Sequence, residues 1–393
     1  MTNYPEIVLK KAKEISLKRK HHWVFSGAIQ QKPKDLQDGE LVKVLDSKKQ
    51  VLGLGFYSPG SIMVRMITFS DREITEAFWL EKLSAAYQLR KKLFSGQRER
   101  TNAYRMVHGE GDMLPGLIID YYDGVLVIQA HHLGIVKELP SISNALQQLL
   151  GKDLKGIYNK SASALHGKTN EADGWIFGEN TTVRIKENAF HFEINLEKGQ
   201  KTGFFLDQRE NRSLLQRYCQ GKEVLNTFCY SGGFSVYALA AGANRVTSVD
   251  ISSDAIALCQ KNLELNHFDF SLNPCLTADV LKFLQNMDDT YEVIILDPPA
   301  FAKNIRSRHN AVQAYKRLNA LALKKIKPGG ILFTFSCSQV IDRELFNHTV
   351  TAAALETGRK TQVLHQVSQG PDHPVNVFHQ ETSYLKGLVM YVT

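Results

Sequence analysis

Two short segments in the last third of the chain combine residue types that could hold a planar base and attack it. Asp297-Pro298-Pro299 follows the apolar run 293–296, and Ser336-Cys337-Ser338 follows a second apolar run. If both runs are parallel strands, the segments lie at the carboxyl edge of one sheet, where open α/β sheets bind ligands. Two prolines make a stiff turn after an acidic group, and a thiolate facing that turn could add covalently to a base. We therefore interpret Cys337 as a nucleophile and Asp297 as the group that holds the base.

A glycine-containing loop follows an earlier predicted strand. It runs from Asn226 to Phe234 and includes Gly232-Gly233, and the next predicted strand ends at Asp250. Glycines let backbone approach a ligand closely, and an acidic residue at the following strand end can bind both hydroxyls of a ribose. The loop lacks the GxGxxG spacing that holds a dinucleotide pyrophosphate, so S-adenosylmethionine is favoured over NAD or FAD. Asp279, at the third predicted strand end, is expected near the adenine.

Each of these assignments has a structural alternative. Asp250 or Asp279 alone can equally be a loop carboxylate or a helix cap. Free cysteine is among the most buried residue types, but its strand-end position between two serines favours catalysis for Cys337. The expected cofactor-binding residues here are Asn226, Phe228, Gly232, Gly233, Asp250, Asp279 and Asp297. The expected substrate-binding residues are Pro298, Pro299, Phe301 and Lys303.

Composition limits the class of protein. The 393 residues suggest two or three domains. No apolar run approaches the roughly 18 residues needed to span a bilayer, and the N-terminus lacks a secretory signal, so we expect a cytoplasmic protein without a membrane segment. The five cysteines include no CxxC pair, which argues against a disulfide framework or a zinc site. The histidine pairs at 21–22 and 131–132 lack metal-ligand spacing, so we expect no metal.

Positive charge is concentrated at the N-terminal end. The chain has a net charge of +8, and residues 1–70 carry 12 Lys and Arg against 6 Asp and Glu. Such a region is a candidate phosphate-binding surface, although a solvated face that aids solubility has the same composition. Charge alone does not choose between them.

The pattern of elements predicts three domains. Short alternating runs at 41–45, 51–56 and 62–67 predict a small β-barrel-like, PUA-like domain over 1–72. Residues 73–195 predict an α+β domain with a strand-strand-helix-strand-strand order. Asp123-Gly124 is a strong two-residue hairpin turn, a helix is predicted near 135–150, and a second hairpin, with strands 182–186 and 189–194, turns at Glu187-Asn188. From 196 to 393, strands and helices alternate, which predicts a Rossmann-like α/β domain with a parallel sheet covered on both faces. The strands predicted there are 224–228, 245–250, 274–279, 291–297, 331–336 and a last one at 384–392.

Taken together, these motifs resemble a known family. It comprises the class I methyltransferases that carry an N-terminal PUA domain and make 5-methylcytidine in bacterial large-subunit (23S) ribosomal RNA. The resemblance covers essentially the whole chain. The segments that carry it are His22 to Ser26, Tyr57-Ser58-Pro59, Glu197 to Arg209, Asn226 to Phe234, Asp297-Pro298-Pro299, Ser336-Cys337-Ser338, Asp372-His373-Pro374 and Tyr384 to Gly387.

The resemblance implies further roles. The Lys201 to Arg209 segment would flank the cofactor, through Lys201, Thr202, Phe204, Asp207 and Arg209. Cys337 would be the nucleophile, and large-subunit rRNA the partner. A second group of RNA cytosine methyltransferases uses another cysteine after the fourth strand, where this chain has Pro298-Pro299-Ala300. Water, Asp297 and His373 therefore remain candidates for removing the C5 proton, and His373 can equally be structural.

Two other functions are compatible with the residues. A methyltransferase acting on an exocyclic amine of a purine would use the Asp-Pro-Pro loop and need no thiol. A non-catalytic RNA-binding assembly factor would need no cofactor, which the Gly232, Asp250 and Asp279 set argues against. The sequence leaves open which nucleotide is methylated, whether naked rRNA or an assembling subunit is the substrate, and whether the protein is a homodimer.

Overall fold

The computed structural model of the chain describes residues 4–97, 99–165, 167, 172–179, 182–288, 290–302 and 304–393. The chain divides into two units. Unit 1 comprises Met1–Ile185, Ile194–Phe204 and Pro371–Thr382, and unit 2 comprises Lys186–Glu193, Phe205–Gly370 and Ser383–Thr393. The division into domains 1–72, 73–195 and 196–393 remains a prediction.

The N-terminal part of unit 1 is a β-sheet module. Its strands are β1 (Glu6–Leu9), β2 (Trp23–Phe25), β3 (Ile29–Gln31), β4 (Leu41–Leu45), β5 (Val51–Tyr57) and β6 (Ile62–Thr68), with helix α1 (Ile15–Lys18) after β1. The sheet order is β2-β6-β5-β4-β1-β3. Alternate residues of β4 and β6, such as Val42, Val44, Val64 and Met66, are buried in one core. Strands β4 to β6 lie where the alternating sequence pattern predicted them.

The rest of unit 1 is an α+β module. Its elements are α2 (Glu76–Leu93), β7 (Ala103–His108), β8 (Leu117–Tyr122), β9 (Val125–Ala130), α3 (Leu133–Leu150), β10 (Gly156–Asn159), α4 (Ala162–Leu165) and β11 (Gly174–Phe177). The sheet order is β11-β10-β9-β8-β7. Asp123 and Gly124 have φ values of 49° and 93°, as a type I′ turn requires. Strands β7, β10 and β11 were not predicted, and the four residues of β10 are too few to show a period.

Residues 182–195 form a separate hairpin. Strands β12 (Thr182–Glu187) and β13 (Phe190–Asn195) pair only with each other among the described residues. Their turn uses Asn188 and Ala189 at positive φ. The sequence predicted this hairpin, with its turn at residues 187–188.

Unit 2 contains a parallel sheet with one antiparallel insertion. Its elements are α5 (Arg209–Leu215), β14 (Glu223–Thr227), α6 (Gly233–Ala240), β15 (Arg245–Asp250), α7 (Ser253–Leu265), β16 (Cys275–Thr277), α8 (Val280–Asn286), β17 (Tyr291–Leu296), α9 (Arg308–Lys325), β18 (Ile326–Ser336), α10 (Arg343–Thr357), β19 (Thr361–Ser368) and β20 (Lys386–Val392). The sheet order is β16-β15-β14-β17-β18-β20-β19. Strand β20 is antiparallel to both of its neighbours.

Both faces of this sheet are covered. In β17, Val293 and Ile295 belong to one buried apolar cluster, whereas Ile294 and Leu296 belong to another. Successive side chains on a strand point to opposite faces, so a strand that is buried on both sides is apolar throughout. This explains why 293–296 is a continuous apolar run. Within the described part of the chain, no helix is both long and apolar enough to cross a membrane.

Candidate active site

The strand register places Asp297 and Cys337 at the same edge of the unit 2 sheet. Strands β17 and β18 are parallel neighbours, with Leu296 opposite Thr334. Asp297 follows the last residue of β17, and Cys337 follows the last residue of β18. The carboxyl ends of parallel strands form the ligand-binding edge of such sheets. The side chains that the sequence selected therefore emerge side by side.

Asp297 is held by an amide. The Nε2 atom of Gln208 donates to Oδ1 of Asp297 over 3.0 Å. Gln208 is itself oriented by Asn211, whose Nδ2 donates to Oε1 of Gln208 over 2.6 Å. Asn211 is anchored in turn on the carbonyl oxygen of Ser368. Because Gln208 and Asn211 are both 3% exposed, this chain of hydrogen bonds fixes the direction in which the Asp297 carboxylate points.

Cys337 is partly exposed, whereas the serines on either side of it are buried. The Ser338 hydroxyl donates to the carbonyl oxygen of Ala302 over 2.7 Å. Ala302 lies on the segment that begins with the Asp-Pro-Pro turn. The Ser338 hydroxyl therefore ties the thiol-bearing loop to the loop that carries Asp297.

A lysine lies behind the thiol-bearing loop. Lys386 is the first residue of β20, is opposite Ser336 in the strand register, and is 6% exposed. Its Nζ donates to the carbonyl oxygens of Ser338 over 2.6 Å and Ile341 over 2.5 Å. Burial lowers the pKa of Lys386 to about 8, and the negative charge available on Cys337 opposes this effect. The ammonium and the thiol are therefore electrostatic neighbours.

A tyrosine from helix α9 lies between the two loops. Tyr315 is buried, and its ring packs on Phe301 with a centroid distance of 4.7 Å. Burial raises the pKa of Tyr315, the Ser336 hydroxyl opposes this, and the charges of Cys337 and Asp297 add to it. The phenol therefore stays neutral, keeps its proton for donation, and lies close to both proposed catalytic groups.

The loop after β14 has an unusual backbone. Phe228, Tyr230 and Gly232 have φ values of 53°, 45° and 77°. Only glycine adopts this region freely, so the two aromatic residues carry local strain of a kind that is concentrated at binding sites. A Cβ atom on Gly232 would lie 2.5 Å from the Sγ atom of Cys259. The loop thus needs glycine at this position for both its conformation and its packing.

Asp250 holds this loop against the end of β15. Its Oδ2 accepts from the backbone N–H of Tyr230, and its Oδ1 accepts from the backbone N–H of Ser252, each over 3.0 Å. A carboxylate oxygen has a second lone pair, so the same group can also accept from ribose hydroxyls. Asn226 is buried and donates to Ser235 in the first turn of α6. These features fit a nucleoside cofactor lying over the loop.

Asp279 does not lie at a strand end, where the sequence predicted it. Strand β16 ends at Thr277, so Asp279 does not close it. Asp279 is instead the N-cap of α8, and its Oδ1 accepts from the backbone N–H of Lys282 over 2.9 Å. The sequence analysis gave a helix cap as the alternative role of Asp279, and the structure shows this role. Its role at the adenine end stays a prediction.

The Lys201 to Arg209 segment is shared between the two units. Lys201, Thr202 and Phe204 lie in unit 1, where the Thr202 hydroxyl donates to Oδ2 of Asp120 over 2.6 Å. Asp207 and Arg209 lie in unit 2, where Oδ2 of Asp207 accepts from the Tyr384 hydroxyl over 2.6 Å. The structure brings Asp207 and Arg209, but not the other three, into the unit that carries Asp250. Cofactor binding by all five residues remains a prediction.

The predicted substrate-binding residues occupy different environments. Pro298 is buried, Pro299 is exposed and Phe301 is partly buried against Tyr315. Lys303 lies outside the described residues. Pro299 and Phe301 therefore have the accessibility that contact with a base requires.

One histidine-containing group was not anticipated. Among the described residues, His21, His379 and Glu381 of unit 1 form one group whose ligand atoms lie within 4.8 Å of one another. The two imidazole rings are stacked at 4.2 Å, and Nδ1 of His379 faces the backbone N–H of His22. Stacked rings direct their nitrogen lone pairs along nearly parallel planes. This arrangement is typical of a packed aromatic cluster, and the expectation of no metal stays a prediction.

The fold and the site together define a class I methyltransferase that uses S-adenosylmethionine. Residues 104–388 match the family described as S-adenosylmethionine-dependent methyltransferase, and residues 7–69 match a PUA-like domain. The chain belongs to this methyltransferase family, because the first match covers more than half of it. The predicted fold class, the PUA-like domain and the cofactor are thereby confirmed.

Curated relatives match along the whole chain. The chain is 38% identical to Ribosomal RNA large subunit methyltransferase I of Alteromonas mediterranea, over 99% of each protein. It is 39% identical to the protein of the same name from Tolumonas auensis, over 98% of each. A solved structure described as a SAM-dependent methyltransferase from Streptococcus mutans has a TM-score of 0.85 at 24% identity, covering 98% of this chain and 99% of that one. A further methyltransferase structure, complexed with SAH, has a TM-score of 0.84 at 24% identity, with the same coverage.

Sequence reasoning missed several residues of this site. Gln208 and Lys386 lie in segments that carried the resemblance but were assigned no role, and Tyr315 was not considered. Each of the three contacts or faces Asp297 or Cys337. Lys386 had a detectable signal, since it opens an otherwise apolar final strand. Tyr315 had none, because a tyrosine on a helix is indistinguishable in sequence from an ordinary core residue.

Proposed function

We propose that this protein methylates C5 of a cytidine in large-subunit ribosomal RNA through a covalent adduct with Cys337. The observation that carries the proposal is the placement of a partly exposed thiol and a fixed carboxylate at adjacent strand ends. The named activity of the full-length relatives supports rRNA as the substrate. The basic N-terminal region and the PUA-like domain support RNA binding, and we propose a cytoplasmic location.

Cytosine C5 requires activation before it can accept a methyl group. The Cys337 thiolate adds to C6, forming the S–C6 bond and moving the C5–C6 electron pair onto C5. S-adenosylmethionine would supply an electrophilic methyl group, which bonds to C5 as its bond to the sulfonium sulfur breaks and S-adenosylhomocysteine leaves. The C5 proton then passes to water or to Asp297, the C5–C6 double bond returns, and the S–C6 bond breaks to release the thiolate. No oxidant or reductant is needed.

Asp297 has a separate task in this scheme. Gln208 orients the Asp297 carboxylate, which accepts a hydrogen bond from the exocyclic amine at the N3 edge of the base. The neutral Tyr315 hydroxyl lies near this carboxylate, and Pro299, two residues after Asp297, is exposed. The target base must leave its stack to reach this edge, as in other enzymes that modify bases.

Trapping with 5-fluorocytidine RNA tests the proposal. Fluorine at C5 cannot leave as a cation, so the methylated adduct persists and migrates as a protein–RNA complex on a denaturing gel. We expect the complex with wild type and with Cys275→Ala, which removes another partly exposed thiol of unit 2. We expect none with Cys337→Ala. Methylation that survives Cys337→Ala would indicate the alternative, transfer to an exocyclic amine.

A further inference from the structure

Lys386 is a buried cation that both holds a turn of the backbone and places a positive charge near Cys337. Its two hydrogen bonds fix the carbonyls of Ser338 and Ile341, which shapes the turn that follows Cys337. A neutral donor would serve these carbonyls at lower cost, because an ammonium loses hydration when it is buried. A negatively charged group near the ammonium would offset this loss of hydration.

The charged groups around Lys386 identify that partner. Those that face it are Cys337, Asp342 and Arg343. Asp342 caps helix α10 with its own carboxylate and is exposed on the surface, and Arg343 is a second cation. The remaining group is the Cys337 thiol, which ionises to a thiolate. Among the described residues, Lys386 of β20 supplies a positive charge near the thiol, and the Tyr315 phenol, which also lies near it, is neutral.

We propose that Lys386 is a positioning residue for Cys337: its ammonium fixes the thiol-bearing turn and favours the thiolate over the thiol. This inference rests on the proposed function, in which the thiolate is the attacking species. A cation close to a cysteine lowers the pKa of the thiol and raises the reactive fraction at neutral pH. Above about pH 8 Lys386 loses its proton, so the stabilisation of the thiolate disappears as the pH rises further.

The test is the pH dependence of Cys337 alkylation by iodoacetamide, followed at the peptide level by mass spectrometry. No RNA or methyl donor is present. For wild type we expect a midpoint below the ordinary value of about 8.5 for a free cysteine. For Lys386→Gln we expect the midpoint to rise by about one pH unit, which reduces the rate at pH 7 about tenfold. Lys386→Arg keeps a positive charge and should retain most of the wild-type rate.

The test includes a control substitution at another lysine and a measurement on the wild-type protein alone. Lys324→Gln removes an exposed lysine from α9 of the same unit and should leave the profile unchanged. A wild-type midpoint at or above about 8.5 overturns the proposal without any variant, so poor folding of Lys386→Gln cannot rescue it. Equal midpoints in wild type and Lys386→Gln overturn it as well. Because alkylation needs no substrate, a failed 5-fluorocytidine trap combined with a lowered midpoint would refute the proposed function alone.

Discussion

The Nε2 atom of Gln208 lies 3.0 Å from Oδ1 of Asp297, and this contact links the chain ahead of α5 to the end of β17. The two residues are 89 positions apart in the sequence, and a polar pair of this kind has no local signal. The contact matters for the mechanism because it fixes the direction of the carboxylate that we propose binds the base.

Gln208→Leu should therefore impair methylation more than folding. Loss of a hydrogen bond to a charged group costs roughly 1.5–3 kcal/mol, so we expect kcat/KM to fall about ten- to a hundredfold. Steady-state methylation of an rRNA fragment measures this effect. Gln313→Leu, at an exposed position on α9, is the matched control and should retain activity. Unchanged kcat/KM in Gln208→Leu would show that the contact does not orient Asp297 for catalysis.

Asp250→Asn tests the cofactor loop. The substitution keeps the shape of the side chain but removes its charge, and one of the two contacts to Tyr230 and Ser252 must be lost. We expect the affinity for S-adenosylhomocysteine, measured by calorimetry, to fall at least about tenfold. Asp254→Asn, at an exposed position in the first turn of α7, should bind normally. Equal affinities in the two variants would remove Asp250 from the cofactor site.

Two glycine-to-alanine substitutions distinguish the cost of backbone strain from the cost of a steric clash. Gly232 and Gly358 both have positive φ, but only a Cβ at Gly232 meets another atom within 4 Å. We expect Gly358→Ala to lower the free energy of unfolding by about 1 kcal/mol through backbone strain alone. Gly232→Ala adds a clash with Cys259, so we expect a loss of about 2–4 kcal/mol. Urea denaturation followed by far-UV circular dichroism measures both losses, and equal losses would contradict the packing argument.

Tyr315→Phe removes a hydroxyl that faces Cys337 and Asp297. We expect kcat for methylation to fall on the order of tenfold, since a neutral donor near developing charge stabilises the transition state. Tyr291→Phe is the control, because Tyr291 is also buried but begins β17, at the other end of the strand from Asp297. Equal kcat values for the two variants would assign Tyr315 to packing alone. Affinity for S-adenosylhomocysteine should be unchanged in both.

The sequence predicted most of the elements that carry this site, for identifiable reasons. Continuous apolar runs such as 293–296 predicted buried parallel strands, and Asp123-Gly124 predicted a hairpin turn that the structure contains. The strand end near Asp279 was predicted two residues too long, because an aspartate N-cap and a strand terminus have similar flanking sequences. Strands β7, β10 and β11 were not predicted, because their segments are short or mix polar and apolar residues.

The supporting residues of the site were less predictable than its loops. Asp297 and Cys337 stood out because each follows an apolar strand directly. Gln208, Tyr315 and Lys386 reach these residues from three other elements, so their roles depend on tertiary packing and not on local spacing. The lysine that opens an otherwise apolar strand was an available signal, and its segment was noted for the resemblance without a role for Lys386.

Nucleoside mass spectrometry of large-subunit rRNA would show whether this protein makes 5-methylcytidine through Cys337. The rRNA would come from cells lacking this protein, complemented either with wild type or with Cys337→Ala. We expect that one 5-methylcytidine disappears in the deletion and returns only with wild type. A methylated purine that disappears instead, or a 5-methylcytidine restored by Cys337→Ala, would contradict covalent catalysis by Cys337.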